Sequence, residues 1–164
     1  MYLIDSNVLM SAADRIYPFD VVPGYWDQVL AALSARSAAI PASVKSELTV
    51  YRQKWLYGWV TANIQNSHVL AENQNQIRNL ATVTQWVVSG RTPSYQVSDR
   101  TRFLSGADPR IIAAAMDVGG TIVTYEKPLN DPNAKKVKIP DVAAHFGIDC
   151  VTPIEMFRRL GMKL

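Results

Sequence analysis

The sequence predicts a three-layer α/β/α sandwich around a short, mainly parallel sheet, and three observations carry that prediction. Short apolar runs alternate with stretches of helical period along the whole chain. The opening run Met1-Tyr2-Leu3-Ile4 is cut off by Asp5-Ser6-Asn7 and passes straight into a helical turn over residues 8–13, which is a strand-to-helix junction. Near the other end, residues 108–118 carry both a start and a stop signal and lead directly into a β-branched run.

The elements follow in order. Residues 16–24, punctuated by Pro18 and Pro23, read as a loop, and residues 25–37 as a helix with Trp26, Val29, Leu30 and Leu33 on one stripe. Ala38-Ala39-Ile40 is a second buried strand, and Pro41 opens a helix in which Val44, Leu48 and Tyr51 share a face. The middle, residues 52–100, reads as a helical insertion and loop within one domain spanning 1–164. Trp55, Trp59 and Val60 extend a helix there, residues 65–70 form a turn and a short extended piece, and Ile77, Leu80, Val83 and Val87 recur at helical spacing over 73–88. Residues 91–106 lack a period and read as a loop. Asp108 then acts as N-cap, Pro109 as the first helical residue and Gly119-Gly120 as the stop. A strand over 121–125, a polar turn over 127–138, a helix over 140–146, a strand over 148–151 and a closing helix over 153–160 complete the chain.

Composition bounds the function. At 164 residues and 48% hydrophobic the chain suits one domain with a real core, and no stretch approaches the roughly 18 consecutive apolar residues of a membrane span. The N-terminus meets an acid before any long apolar stretch and does not read as a secretory signal. A single cysteine, Cys150, cannot form an internal disulfide and fits a reducing cytoplasmic setting. The formal charge of +3 is compatible with a nucleic-acid partner without requiring one.

Four acids stand out by position: Asp5 after the first strand, Glu47 inside the helix that Pro41 opens, Asp108 before Pro109, and Glu126 after Ile122-Val123-Thr124-Tyr125. A carboxylate where a buried strand ends is costly to desolvate unless a cation or hydrogen-bond donors offset it. Parallel sheets build ligand sites beyond the carboxyl ends of their strands, so the four suggest one metal pocket. Carboxylates without paired Cys or clustered His favour a hard ion, Mg²⁺ or Mn²⁺, and such ions suit phosphodiester hydrolysis. Each acid also has a plainer reading. Asp5 and Asp108 are good N-caps, Glu47 could be a solvated helix acid, and Glu126 could begin a turn beside Lys127. Asp141 follows a proline at a helix start and reads as a cap that could join the cluster as an additional acid.

At these residues the chain resembles the PIN-domain family, the fold of many VapC-like toxin ribonucleases. Leu3-Ile4-Asp5-Ser6-Asn7-Val8-Leu9 is similar to that family's opening motif. Ala107-Asp108-Pro109-Arg110-Ile111-Ile112 followed by Gly120-Thr121-Ile122-Val123-Thr124 resembles its third-acid helix and fourth-acid strand. Lys127-Pro128 with residues 138–147 resembles a PIN-like subgroup. The resemblance implies a cytoplasmic endoribonuclease in which Asp5, Glu47, Asp108 and Glu126 hold one or two Mg²⁺ or Mn²⁺ ions and an activated water cuts RNA. Ser6, Asn7 and Thr124 would orient the ligands. Glu126 stands where the family usually has Asp. The resemblance further implies the toxin of a toxin–antitoxin pair, a cognate protein antitoxin over the acidic cleft, and leaves a homodimer open. Two other readings compete: a catalytically weak PIN-like binding or scaffold protein, and a structure-specific DNA nuclease.

Other residues test less well for chemistry. Asp117 lies about 180° around the helix from Asp108. Asp99 is expected to pair with Arg100 or Arg102. His68 and His145 lack ligand-spaced partners and read as surface or packing residues. Trp55 and Trp59, four apart, read as core or as an oligomer contact. Arg100, Arg102 and Arg110 are candidates for gripping RNA phosphate, with a solvated face as the alternative.

Overall fold

The computed structural model describes residues 1–50 and 54–163. Its centre is a five-stranded parallel sheet of order β3-β2-β1-β4-β5, made of β1 (Tyr2–Ile4), β2 (Ala38–Pro41), β3 (Val69–Leu70), β4 (Thr121–Val123) and β5 (Cys150–Val151). The strands are short, and the three central ones, β2, β1 and β4, are almost wholly buried, as expected where helices cover both faces. Leu3 pairs with Ala39 on one side and Ile122 on the other, which puts Asp5 and Thr124 side by side just past the ends of β1 and β4.

Helix α1 (Ser6–Ser11) continues as a π turn through Ala12–Ile16, and α2 (Pro23–Ser34) then returns the chain to β2. Pro23 occupies the first turn of α2, where a missing N–H goes unnoticed, so the helix starts earlier than the loop reading of residues 16–24 allowed. It also ends earlier, at Ser34, because Arg36 adopts a left-handed φ of 55°. Helix α3 (Ala42–Val50) carries Glu47, and α4 (Lys54–Asn63) carries Trp55 and Trp59. The expected packing role of Tyr51 lies outside the described residues. Trp26, Trp55 and Trp59 form an edge-on aromatic cluster with ring centroids 4.7–4.8 Å from Trp26, so the tryptophan pair belongs with the core.

Two expectations for the middle of the chain are corrected. The stretch 52–100 is integral to the sandwich: β3 extends the sheet beside β2, and α5 (Gln74–Gln85) packs along α7 (Asp108–Val118). Residues 91–106 are not a loop, because α6 (Val97–Ser105) runs through them and packs on α7. Its surface is so polar that Phe103 and Asp99 are the residues it buries, and a helix with so thin an apolar stripe leaves no visible period in the sequence. Helix α7 lies across β2 and β4 with α5, α6 and α8 (Ile139–His145) around it. On α2, Tyr25 meets Phe157 of α9 (Pro153–Arg159) edge to face.

Candidate active site

The site grows from the point where β1 stops. Asp5 is the N-cap residue of α1 in backbone terms only: its carbonyl accepts from Val8 N–H at 3.1 Å, while its carboxylate makes no cap bond. That carboxylate instead accepts from the Thr124 hydroxyl at 2.9 Å and lies 3.5 Å from the Ser6 hydroxyl. Thr124 also accepts from Asn7 Nδ2 at 2.9 Å and from Glu126 N–H at 3.1 Å, which uses the hydroxyl's one proton and both lone pairs. Asn7 returns its carbonyl oxygen to Tyr125 N–H at 3.1 Å. One amide therefore staples the end of β1 to the end of β4.

Glu47 reaches this point from α3. Its carboxylate accepts from the Ser6 hydroxyl at 2.8 Å and from Ala107 N–H at 2.8 Å, just ahead of α7. A side chain at position 106 would come within 3.3 Å of Glu47 Oε1, so Gly106 leaves room for that approach. Glu126 turns toward α8: Lys138 donates to Oε1 at 2.9 Å and Ile139 N–H to Oε2 at 2.8 Å. Asp108 begins α7, with Ala107 as the N-cap residue and no side-chain cap bond, which corrects its expected role as N-cap. Among the described residues it has no hydrogen-bond or ion-pair partner.

The four predicted acids thus meet in one electrostatic neighbourhood. Burial raises the Asp5 carboxyl to about 6, against the stabilising Thr124 bond, and the charges on Glu126 and Glu47 raise it further. Burial raises Asp108 to about 7, with Asp5, Glu126 and Glu47 adding to the rise and Lys138 opposing it. Four carboxylates therefore face one ammonium, and that ammonium is already bound to Glu126. A donor set of bare carboxylates short of positive charge is chemically suited to a hard divalent ion. In the arrangement shown, however, no group of three or more His, Cys, Asp or Glu side chains among the described residues is placed to hold a metal. Glu47 and Glu126 accept a close hydrogen bond on each oxygen, Asp5 accepts one close bond, and Asp108 accepts none among the described residues, so Asp5 and Asp108 keep the most acceptor capacity.

The remaining predicted residues sit apart. Asp141 accepts from Leu129 N–H at 3.1 Å and ties down the turn after β4, so it stands as a loop clamp beside the cluster. Arg102 pairs with Asp99, Arg110 with Glu72, and Arg100 donates to the Val88 carbonyl at 2.7 Å. All three arginines are thus engaged with the protein itself. Asp117 is half-buried and accepts from Asn73 Nδ2 at 2.7 Å, which joins α7 to the start of α5. His68 is buried, its Nδ1 accepting from Gln65 N–H, while His145 stacks on Trp86. Burial pushes the Cys150 thiol up to about 12, so it is inert at neutral pH.

Sequence reasoning assigned no role to Lys138. A signal was present: a cation immediately before a helix start opposes the helix dipole unless an acid sits with it, and Glu126 is that acid.

Fold and site together define a parallel α/β sandwich with a cluster of partly buried acids at the carboxyl edge of its sheet. A family model described as a domain of unknown function, DUF4411, matches residues 2–164, and the chain belongs to that family. No curated protein matches it. No helix among the described residues is long and apolar enough to cross a membrane.

Proposed function

We propose that this protein is a PIN-like, Mg²⁺- or Mn²⁺-dependent endoribonuclease, the toxin of a cytoplasmic toxin–antitoxin pair. The observation that carries the reading is the meeting of Asp5, Glu47, Asp108 and Glu126, drawn from four distant segments, at the carboxyl ends of β1 and β4 with Lys138 as counter-charge. Asp5 and Asp108 would hold the ion, with Glu47 and Glu126 lending negative charge around it. When bound, the ion would supply Lewis acidity to a phosphodiester and acidify water beside it.

The chain's own residues do the positioning. Thr124 and Asn7 fix the Asp5 carboxylate relative to β4, so it cannot swing away as charge develops. Ser6 and Ala107 N–H hold Glu47 between α1 and α7, which sets where Asp108 enters the pocket. A cognate protein antitoxin that presents a cation to this pocket would silence it, and a homodimer is compatible with the reading.

The test is cleavage of fluorescent single-stranded RNA by purified, antitoxin-free protein with and without Mg²⁺ or Mn²⁺, beside matched DNA. Metal-dependent cleavage of RNA that vanishes in Asp5→Asn supports the reading; DNA cut in its place redirects it to a structure-specific DNA nuclease. One observation favours the binding or scaffold alternative. Glu126 is locked to Lys138 and Ile139, and a protein with neither metal affinity nor cleavage would be read that way.

A further inference from the structure

A cavity of about 280 Å³ opens among Trp86, Arg91, Tyr95, Asn130, Asp141 and His145. Its aromatic wall is held in place. The Trp86 and His145 rings stack with centroids 4.1 Å apart and planes 16° from parallel, while Tyr95 and Phe146 meet Trp86 edge to face. Gly90 makes room for the indole, since a Cβ there would stand 2.7 Å from a Trp86 ring atom. The Arg91 guanidinium lies 4.1 Å over the Tyr95 ring and donates to the Pro93 and Pro132 carbonyls, which braces the opposite wall. His145 is itself exposed, with one face turned away from Trp86.

Asn130 also lines a second cavity that borders the acid cluster. This second one, of about 360 Å³, is lined as well by Thr124, Glu126, Lys127 and Pro128. The turn over residues 127–138 contributes residues to both cavities and carries Lys127, Lys135 and Lys136, all exposed, with no hydrogen bond or ion pair to their ammonium groups among the described residues. Exposed, unpaired cations together with a stacked aromatic platform are the pattern by which single strands are held, the cations following phosphates and the rings taking a base.

We propose that the Trp86–His145 cavity is a nucleobase subsite for single-stranded RNA, with Lys127, Lys135 and Lys136 carrying the phosphate backbone between it and the acid cluster. The identity of the polymer rests on the ribonuclease reading; the stacking chemistry does not. Asp141, on the cavity wall, disfavours an anion and offers acceptor oxygens to an exocyclic amine. Cytosine, adenine and guanine have such an amine and uracil does not, so the site selects against uracil.

The experiment is fluorescence anisotropy with labelled oligo(C), oligo(A) and oligo(U), as ribose and deoxyribose forms, on full-length protein in chelator so that no cleavage intervenes. Wild type is expected to bind oligo(C) and oligo(A) more tightly than oligo(U). His145→Ala should weaken oligo(C) binding about tenfold, as expected for one lost stacked base, and His145→Phe should restore most of it. Replacing Lys135 and Lys136 by Ala should lower the slope of log affinity against log salt by about one per lysine. His145→Ala binding like wild type, or His145→Phe as weak as His145→Ala, overturns the proposal. Deoxyribose oligomers bound as tightly as ribose ones overturn its RNA half, and equal affinity for oligo(U) overturns the base selection. The two readings separate in a cleavage assay. Loss of binding in His145→Ala with no wild-type cleavage leaves the subsite standing without the nuclease. Metal-dependent cleavage whose KM is unmoved by His145→Ala leaves the nuclease without the subsite.

Discussion

Replacing Asp5 by Asn should make the metal-free protein more stable at pH 8. In the folded chain the Asp5 carboxyl is raised from 3.8 to about 6, with burial the largest cause. At about 1.4 kcal/mol per tenfold change in proton affinity, ionised Asp5 costs the fold about 3 kcal/mol. Below pH 3.8 both folded and unfolded chains hold the proton and the penalty vanishes. Between 3.8 and about 6 the folded state alone keeps the proton, so stability falls as pH rises; above about 6 the whole penalty applies. Asparagine removes the charge and can keep the contacts. Its carbonyl oxygen can accept the Thr124 proton, and its amide can donate to Ser6 Oγ while Ser6 still donates to Glu47. Allowing about 1 kcal/mol for a less favourable hydrogen bond leaves a net gain of about 2 kcal/mol at pH 8. For a chain of this length that is roughly 4–8 °C in Tm. The assay is thermal and urea unfolding of both proteins in EDTA from pH 4 to pH 8. An Asp5→Asn protein no more stable than wild type at pH 8, or a difference independent of pH, would refute the electrostatic account of the site.

Three further outcomes are expected. Millimolar Mg²⁺ or Mn²⁺ should stabilise wild type at pH 8 by about 3 kcal/mol once the ion reaches a hundredfold excess over its Kd, and Asp5→Asn or Asp108→Asn should abolish the gain; the same unfolding curves with added ion check this. Asn7→Ala breaks the staple between β1 and β4 and should cost about 1–3 kcal/mol in urea unfolding, with Thr124 and Tyr125 N–H each losing a partner. Lys138→Met removes the charge that opposes the rise at Asp108, so the Asp108 carboxyl, followed by carbon-detected NMR titration, should move above its wild-type value of about 7.

Much of the fold was legible in local signals. The β-branched run at 121–123 and the helix with its Gly119 stop appear close to where the sequence marks them, because Gly119 takes the left-handed φ of 59° that ends a helix cleanly. Helix α6 was not legible. Its stability comes from α7 beside it rather than from an apolar stripe of its own, so residues 91–106 carried no period to read. The same holds for β3, two residues long and identifiable as a strand of the sheet only through its pairing with β2.

By itself the sequence determined the alternation of strands and helices, and it marked Asp5, Glu47, Asp108 and Glu126 as acids at element ends, because burial patterns and chain punctuation are written in neighbouring residues. Only the tertiary structure decided how those acids differ. Glu47 and Glu126 are satisfied by Ser6, Ala107 N–H, Lys138 and Ile139 N–H, donors that, apart from Lys138 and Ile139 near Glu126, arrive from distant segments. Among the described residues Asp108 receives none, and Asp5 receives the Thr124 hydroxyl from 119 residues away. A carboxylate's cost depends on which donors and charges surround it in space, and spacing along the chain does not encode that.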